Sequence, residues 1–375
     1  MPATLPELDA HTLQTLPSPT MIVFRDRVIQ NIDKMIQMAG SADRLRPHCK
    51  THKMPAVVAL LLERGVDKHK AATIAEVEML ATAGVPDILL AYNPVGPNIH
   101  RVVELTVRFP ESRIAVTCDH PAPLHALNDA AAAANVIIPV FIDVNVGMNR
   151  TGVAPDSDAI RQLAEDISAL QHVSLQGLHV YDGHLRSTRL EDRRKAVAEG
   201  WASVAAFRDW CDSKNIALPR IVCGGTPTFP VYCEFDDPTV ELSPGTSIFF
   251  DTGYGDAFPD LPFLPAAAVL TRVVSCPAPH CITLDLGTKA VASDPPKGAR
   301  VLFPSEPDAE HIGHNEEHLQ LRVSEDRSYA PGDVLLAIPV HVCPTSALYD
   351  RVPVVENGKL VDEWEVTGRC RKITV

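Results

Sequence analysis

The segment 46–53, RPHCKTHK, places two lysines, two histidines, an arginine and a cysteine within eight residues. Three kinds of chemistry use such a set. Histidine and cysteine bind metals, clustered cations bind anionic partners, and a lysine whose pKa is lowered by burial becomes a nucleophilic amine. The segment alone leaves all three open, so the rest of the chain has to decide between them.

The overall charge argues against an anionic partner. The 375 residues include 34 lysines and arginines against 47 aspartates and glutamates, which gives a formal net charge of -13. Nonspecific nucleic-acid binding needs a basic surface that this balance does not supply. Hydrophobic residues make up 46% and charged residues 22%, proportions that are typical of a globular enzyme with a sizeable core.

The amino terminus and the cysteines predict a cytoplasmic protein. The first residues, MPATLPELDAHTLQTLP, contain acids and prolines instead of the basic start and apolar core of a secretory signal. The apolar runs are too short to cross a bilayer. Nine scattered cysteines, an odd number, indicate reduced thiols.

Strand-like and helix-like patterns alternate from about residue 24 to 250. Apolar runs such as DILLAYN, RIAVTC and VIIPVFIDVN are separated by amphipathic stretches such as NIHRVVELTVRF. Roughly eight strands separated by helices are the repeat of a (β/α)₈ barrel, although a doubly wound open sheet shares the alternation. We therefore predict an α/β fold with a TIM barrel over residues 19–253.

The helical patterns stop after about residue 254. Short β-type runs such as HCITLDLG and DVLLAIPVHVC follow, and ENGK between VPVV and LVDEWEV predicts a hairpin with a type I′ turn. The sequence therefore predicts a smaller all-β carboxy-terminal domain over residues 254–375. Residues 1–18 are predicted to pack on this β-domain.

Placing RPHCKTHK on the first barrel strand separates its two lysines. Side chains alternate along a strand, which groups His48, Lys50 and His52 on one face and leaves Lys53 on the other. A lysine that projects into the mouth of a barrel loses solvation and can supply the neutral amine that forms a Schiff base. Exposure of both lysines beyond the end of the strand is the alternative interpretation.

Three loops follow predicted strands, at the ends where barrels carry their sites, and the second and third of them suit a group that carries a phosphate. NVGMNRTG (Asn145–Gly152) follows one strand, GGTPTF (Gly224–Phe229) follows another, and Gly245 and Thr246 follow the last. Backbone N–H groups in glycine-rich turns bind phosphate, and barrels place such sites at the carboxyl ends of their last strands. A glycine pair alone is more often only a turn.

His341 and Cys343 in PVHVCPT form a second candidate site. If this segment is a strand, the two side chains share one face, and imidazole and thiolate are both zinc ligands. A buried cysteine that follows a histidine by chance is the alternative.

Taken together, these motifs resemble fold-type III pyridoxal-phosphate enzymes, the alanine-racemase-like barrels, and within them the D-threonine aldolase and D-serine dehydratase family. The resemblance extends from about residue 19 to 370 and rests on RPHCKTHK, NVGMNRTGV, GLHVYDGH, GGTPT, LDLGTKA and HVCPTSALYD. RPHCKTHK and HVCPTSALYD are highly specific in combination, whereas the glycine loops are not.

The resemblance implies a role for each motif. Lys50 would bind pyridoxal 5'-phosphate as a Schiff base, Tyr181 would lie near the cofactor ring, and Arg150 would lie beside its phenolate oxygen or the substrate. His341 and Cys343 would hold a divalent metal: zinc, manganese or magnesium. The phosphate would be bound by Gly224, Gly225, Thr226, Gly245 and Thr246.

Two positions depart from the aldolase pattern. Aldolases often have aspartate where this chain has Cys343, whereas the dehydratase branch has cysteine. Ser187 stands where some aldolases have the histidine that is credited with deprotonating the substrate hydroxyl. His184 and His52 are the substitutes that the sequence offers as a catalytic base.

The reaction that the resemblance implies is the cleavage of a 3-hydroxy D-amino acid. We expect D-threonine aldolase chemistry, a retro-aldol reaction that yields glycine and an aldehyde. Dehydration of D-serine or of 3-hydroxy-D-aspartate is the alternative. An amino-acid racemase with Tyr349 as a second acid or base, and a non-catalytic cofactor-binding protein, are the other classes. The resemblance also implies a homodimer.

Overall fold

The computed structural model describes residues 4–375. Their contacts divide the chain into two compact units. The β unit contains the described part of 1–35 together with 51–57 and 246–369, and the barrel unit contains 36–50, 58–245 and 370–375. Among the described residues, no helix combines the length and the apolar character needed to cross a membrane.

The strands are numbered in chain order. They are β1 (Thr20–Phe24), β2 (Lys68–Ala71), β3 (Asp87–Leu90), β4 (Arg113–Cys118), β5 (Ile138–Val144), β6 (Val173–Val180), β7 (Arg220–Cys223), β8 (Val240–Leu242), β9 (Ala267–Ala278), β10 (Cys281–Leu284), β11 (Val301–Leu302), β12 (Glu310–His314), β13 (Leu319–Arg322), β14 (Val334–Pro339), β15 (Arg351–Glu356) and β16 (Lys359–Glu365).

The α-helices are numbered in the same way. They are α1 (Ala10–Thr15), α2 (Arg25–Ala39), α3 (Pro55–Leu62), α4 (Ile74–Thr82), α5 (Pro97–Arg108), α6 (Pro121–Ala133), α7 (Asp158–Ala169), α8 (Leu190–Ser213), α9 (Phe229–Cys233), α10 (Thr252–Ala257) and α11 (Val342–Ser346).

Seven parallel strands, β2 to β8 in sequence order, form the sheet of the barrel unit, with helices α4 to α9 between them. Residues 45–48 occupy the eighth position, because Leu45 bridges Leu242 of β8 and His48 bridges Lys70 of β2. The N–H of Lys70 donates to the carbonyl of Pro47 at 2.9 Å, which joins the segment to the other edge of the sheet. The predicted TIM-barrel fold with a separate, mostly β domain is confirmed.

The strand predicted over RPHCKTHK ends earlier than expected. Residues Cys49–Thr51 form a short 3₁₀ turn. Nδ1 of His48 accepts the N–H of Lys50 at 3.3 Å, and Nδ1 of His52 accepts the N–H of Met54 at 3.1 Å. These local side-chain bonds compete with strand pairing and turn the chain toward α3. The alternation argument therefore does not apply to Lys50 and His52, and that part of the prediction is wrong.

A buried ion network lies at the amino-terminal ends of the barrel strands. The fully buried Arg46 side chain lies 2.7 Å from Asp87 and 2.6 Å from Glu241. Arg220 contacts Asp87 at 2.6 Å, and Lys68 contacts Glu241 at 3.0 Å. Barrels place residues that stabilise the fold at this end, opposite to the face that carries their active sites.

The network predicts a specific loss of stability in acid. Burial by itself would raise the pKa of Asp87, but the charges of Arg46 and Arg220 outweigh it and hold the pKa at about 2. A carboxyl group with a depressed pKa stabilises the fold above its unfolded pKa of ~3.8, and this contribution is lost as the pH falls through about 2. We expect Asp87 to account for a loss of about 2 kcal/mol in the free energy of unfolding between about pH 5 and pH 2. Urea unfolding at several pH values would measure this loss, and Asp87→Asn should lack it. The same fall in the free energy of unfolding in both proteins would contradict the prediction.

The β unit is built on a sheet in the order β12-β13-β10-β9-β1-β15-β16, with β14 paired to β9 and β11 paired to β14. The pair β1 and β15 is parallel, and the others are antiparallel. The predicted hairpin joins β15 and β16, with Asn357 and Gly358 at φ of 51° and 79°. A buried cluster in the β unit includes Val269, Val273, Ile282, Leu284, Leu319 and Leu321.

The compact units do not follow the boundaries predicted at residues 18/19 and 253/254. Strand β1 pairs with β9 and β15 and therefore belongs to the β unit. The segment before it packs in the same unit, where Leu16 is buried with Ile22 and Phe24. An apolar run near the start of a chain indicates a strand, but it does not indicate which sheet the strand joins.

Candidate active site

The predicted cofactor-binding residues of the barrel unit all follow barrel strands. They lie at the carboxyl ends of the strands: Lys50 after segment 45–48, Arg150 after β5, Tyr181 after β6, Gly224, Gly225 and Thr226 after β7, and Gly245 after β8. Because parallel strands of a barrel end at one rim, these residues share the face on which TIM-barrel enzymes carry their sites.

Tyr181 is in contact with two basic side chains and a glycine loop. The guanidinium carbon of Arg150 lies 4.9 Å from the centroid of the Tyr181 ring, and Nζ of Lys70 lies 5.6 Å from it. A Cβ atom at Gly225 would stand 3.1 Å from the ring, so the absence of a side chain allows this close approach. Cation–π attraction and packing therefore hold the ring between Arg150 and the loop after β7.

The loop after β7 forms a buried turn. Gly224 has a φ of 67°, and a Cβ atom there would stand 2.7 Å from Oγ1 of Thr228. The N–H of Gly225 donates to the Thr228 hydroxyl at 3.3 Å, and the N–H of Gly245 donates to Oγ1 of Thr226 at 3.1 Å. The bond between Gly245 and Thr226 therefore joins the loop after β7 to the loop after β8.

These residues fit pyridoxal phosphate. The set provides an amine at Lys50, an aromatic ring at Tyr181 and a glycine cradle that a Cβ atom would fill. Thr246, the residue after Gly245, is buried in a 3₁₀ turn of the β unit, and its hydroxyl lies 3.8 Å from Sγ of Cys343.

Three buried polar side chains that the sequence patterns do not reveal form a chain in the barrel. Lys70 on β2, His179 on β6 and Asp143 on β5 are 2%, 4% and 5% exposed. Nζ of Lys70 lies 3.5 Å from Nε2 of His179, and Nδ1 of His179 lies 2.7 Å from Oδ1 of Asp143. A charged residue near the end of an apolar barrel strand, as in KHKAAT, VFIDV and GLHV, is the signal that could have found them.

The two predicted base candidates lie in different units. His52 is buried in the β unit, where its ring meets Phe249 edge to face at a centroid distance of 6.4 Å. His184 is exposed in the barrel unit, and its Nε2 would stand 3.1 Å from a Cβ atom at Gly147. Ser187 bonds Asp192 at 2.9 Å, in the first turn of α8. His184 belongs to the same unit as Lys50, Arg150 and Tyr181.

The prediction that His341 and Cys343 share one face of a strand is wrong. Strand β14 ends at Pro339, His341 caps the start of α11, and Cys343 lies in the first turn of that helix. Proline at position 344 suits the first turn of a helix, where its missing N–H has no helical partner. Oδ2 of Asp251 accepts the N–H of Val342 at 2.9 Å and fixes the start of α11.

The short helix nevertheless brings the two side chains together. Burial alone would lower the pKa of His341, but hydrogen bonds to Cys343 and Asp294 raise it to about 9. Nδ1 of His341 lies 2.5 Å from Oδ2 of Asp294, which leaves Nε2 for another ligand. A carboxylate on the second ring nitrogen is the usual arrangement of a metal-binding histidine. The donor set of imidazole and thiol therefore fits a divalent metal.

A third group of metal-ligand types, His48, Cys49 and Glu76, has its ligand atoms within 4.8 Å of one another. Oε2 of Glu76 accepts the N–H of Ala72 at 2.5 Å and lies 3.6 Å from the Cys49 thiol. The hydroxyl of Thr73 accepts the N–H of Glu76 at 3.1 Å. The Thr73 hydroxyl therefore caps α4, and the bond from Ala72 fixes the Glu76 carboxylate beside the start of the helix, which explains the position of Glu76 without a metal.

Comparisons with known proteins match the whole architecture. Residues 23–253 match the family described as "Alanine racemase, N-terminal domain", and residues 266–355 match "Putative serine dehydratase domain". D-threonine aldolase of Arthrobacter sp is 32% identical over 344 residues, 88% of each chain. D-threo-3-hydroxyaspartate dehydratase of Delftia sp. (strain HT23) is 26% identical over 242 residues, 64% of this chain and 63% of the relative.

A solved structure has the same fold over nearly its full length. The crystal structure of D-threonine aldolase from Filomicrobium marinum matches with a TM-score of 0.88 and 26% identity, and the match covers 98% of each chain. Aldolases and dehydratases are both lyases, so these relatives support a lyase as the class of enzyme. The chain belongs to the alanine-racemase-like, fold-type III family of pyridoxal-phosphate enzymes, in the branch of the D-threonine aldolases and D-serine dehydratases.

Proposed function

We propose that the protein is a lyase that depends on pyridoxal phosphate and a divalent metal and cleaves 3-hydroxy D-amino acids to glycine and an aldehyde. The observation that carries the proposal is the grouping of Arg150, Tyr181 and Gly225 on the rim where segment 45–48 leads into Lys50. The similarity to a D-threonine aldolase over 88% of the chain supports carbon–carbon cleavage.

Each group of site residues would have its own role in the reaction. When bound, the cofactor would act as an electron sink for bond breaking at Cα, and the metal would polarise the β-hydroxyl group. Lys50 would attach the cofactor, Tyr181 would pack against its ring, and Arg150 would lie beside its phenolate oxygen or the substrate. His341 and Cys343 would hold the metal. The phosphate would be held by Gly224, Gly225, Thr226, Gly245 and Thr246.

One observation favours a second candidate, dehydration of D-serine or 3-hydroxy-D-aspartate. The ligand beside His341 is Cys343, and a thiolate selects zinc rather than the harder manganese or magnesium. In dehydration a base would take the α-proton and the β-hydroxyl group would leave as hydroxide, so that ammonia and a keto acid would form instead of glycine and an aldehyde.

Product analysis decides between these reactions. The protein would be incubated with pyridoxal phosphate, zinc or manganese, and D-threonine, D-serine or 3-hydroxy-D-aspartate in turn, with the L-enantiomers as controls. We expect glycine and an aldehyde from the D-enantiomers alone. Ammonia and a keto acid would assign the dehydratase instead, and turnover of neither kind would contradict both proposals.

Asp294 offers a graded test of the metal site. Asp294→Asn keeps the shape of the side chain but removes the carboxylate that orients the His341 ring. Loss of such an outer partner typically lowers metal affinity by about 10–100-fold, and we expect an effect of that size. Titration of zinc against a competing chelator would measure it. Asp308→Asn, an exposed aspartate of the same unit, should keep the wild-type affinity, and equal affinities in all three proteins would argue against the assigned ligands.

A further inference from the structure

Lys70 is a basic side chain inside a barrel, where bulky apolar residues dominate. It lies in β2, is almost fully buried, and is held at its backbone by the hydrogen bond to Pro47 of the segment that leads to Lys50. Its amine lies against the same Tyr181 ring as Arg150. Lys70 therefore reaches the proposed cofactor site from the inside of the barrel.

The donor and the acceptor of each hydrogen bond around Lys70 can be assigned. Asp143 accepts two bonds, one from Nδ1–H of His179 and one from the Thr151 hydroxyl, and these bonds together with nearby positive charge outweigh burial and lower the pKa of Asp143. Burial lowers the pKa of His179, so the ring is neutral with its proton on Nδ1. Nε2 then has a lone pair that accepts an N–H of Lys70 at 3.5 Å. This chain fixes where the Lys70 amine lies whether or not it is protonated.

The surroundings of Lys70 favour its neutral form near neutral pH. Burial lowers its pKa to about 7, and the positive charge of Lys50 adds to the effect. Two carboxylates, Asp143 and Asp182, oppose it. The charged and titratable groups that face Lys70 from the neighbouring elements are Arg46, Lys50, Asp143, Arg150, His179, Tyr181, Asp182 and Cys223.

We propose that Lys70 is the proton acceptor of the reaction, with His179 and Asp143 as the residues that position it. This inference rests on the proposed function. It supplies a base for the reaction, because Ser187 stands where some aldolases have the histidine that is credited with deprotonating the substrate hydroxyl. The neutral amine takes the proton of the substrate β-hydroxyl as the Cα–Cβ bond breaks and the aldehyde C=O bond forms. The ammonium then returns that proton to Cα, so that glycine leaves and Lys70 is neutral again.

Three variants separate proton transfer from charge and from structure. Lys70→Met fills the space without an amine, Lys70→Arg keeps a positive charge that cannot be released, and Lys68→Met removes another lysine of the same strand. We expect Lys70→Met and Lys70→Arg to lower kcat by about 100-fold or more, the scale of acid–base catalysis, and to lose the limb of the pH–rate profile near pH 7. Lys68→Met should keep that limb.

A second readout does not depend on activity. A lysine whose pKa is lowered on folding binds fewer protons in the folded state between about pH 7 and 10.5, so the free energy of unfolding rises with pH across that window. Urea unfolding of the wild type should show this rise, and Lys70→Met should lack it. The same slope in both proteins would overturn the assignment of a buried, neutral amine.

The outcomes also separate this inference from the proposed function. Lys70→Met should still bind pyridoxal phosphate with the visible absorbance of the lysine-linked cofactor, because Lys50 is intact. If it binds cofactor and keeps the wild-type pH–rate profile, or if Lys70→Arg keeps full activity, Lys70 is not the proton acceptor. If the wild type itself shows no lysine-linked cofactor, the proposed function fails first.

Discussion

Lys50→Ala is expected to abolish the visible absorbance of the lysine-linked cofactor and to lower turnover of D-threonine by roughly 10³-fold or more, because the variant loses the amine that forms the covalent link. Lys50 follows segment 45–48, which closes the barrel. The backbone of this segment is fixed because Leu45 bridges Leu242 of β8 and His48 bridges Lys70 of β2. The substitution removes a half-buried side chain at the end of that segment and leaves these bridges in place. Absorbance spectra and product rates measure the two effects.

The second lysine of the same motif is the matched control. Lys53 lies in the β unit at a φ of 58°, three residues after Lys50. Lys53→Ala should keep the absorbance and most of the turnover. A Lys50→Ala protein with the cofactor band intact, or a Lys53→Ala protein without it, would show that the wrong lysine has been assigned.

His341→Ala is expected to remove the metal and to lower turnover by about 10²–10³-fold, since a bound metal that acts as a Lewis acid lowers the barrier by several kcal/mol. The variant leaves Cys343 as one protein ligand of the proposed pair and leaves Asp294 without the ring that it orients. Metal content after dialysis, measured by elemental analysis, and turnover with added zinc or manganese would test this prediction.

An exposed histidine provides the comparison for the metal variant. His125 lies on α6 of the barrel unit, and His125→Ala should retain both metal and activity. Treatment of the wild type with a chelator should reproduce the loss seen in His341→Ala, and addition of metal should restore only the wild type. Full activity of His341→Ala, or of chelated wild type, would remove the metal from the mechanism.

Much of the fold follows from patterns that are local in sequence. The alternation of apolar strands with amphipathic helices indicated a barrel, because each βα unit has its own periodicity, and ENGK indicated a hairpin because Asn-Gly favours a type I′ turn. The sheet that β1 joins could not be predicted, because its partners β9 and β15 lie more than two hundred residues away. The residues of a strand do not indicate which distant strand it pairs with.

Site residues could be predicted where a residue type that suits the cofactor stands in a loop directly after a predicted strand. Arg150, Tyr181 and the glycines after β7 follow strand ends, where barrel sites are found. The two strand-alternation arguments failed for a shared reason. At Cys49–Thr51 and at Val342–Ser346 the chain turns into short helices, because side chains of His48, His52 and Asp251 accept backbone N–H groups that a strand would have paired. Lys70, His179 and Asp143 were missed because their meeting depends on three strands that are far apart in sequence.

Reductive trapping of the cofactor tests the central claim most directly. The protein would be loaded with pyridoxal phosphate, treated with borohydride to make the lysine link permanent, digested, and analysed by peptide mass spectrometry. We predict a pyridoxyl-phosphate label on Lys50, with Lys53 and Lys70 unmodified. A label on either of those lysines, or no label on any lysine, would contradict the assignment of Lys50 and the lyase chemistry that is built on it.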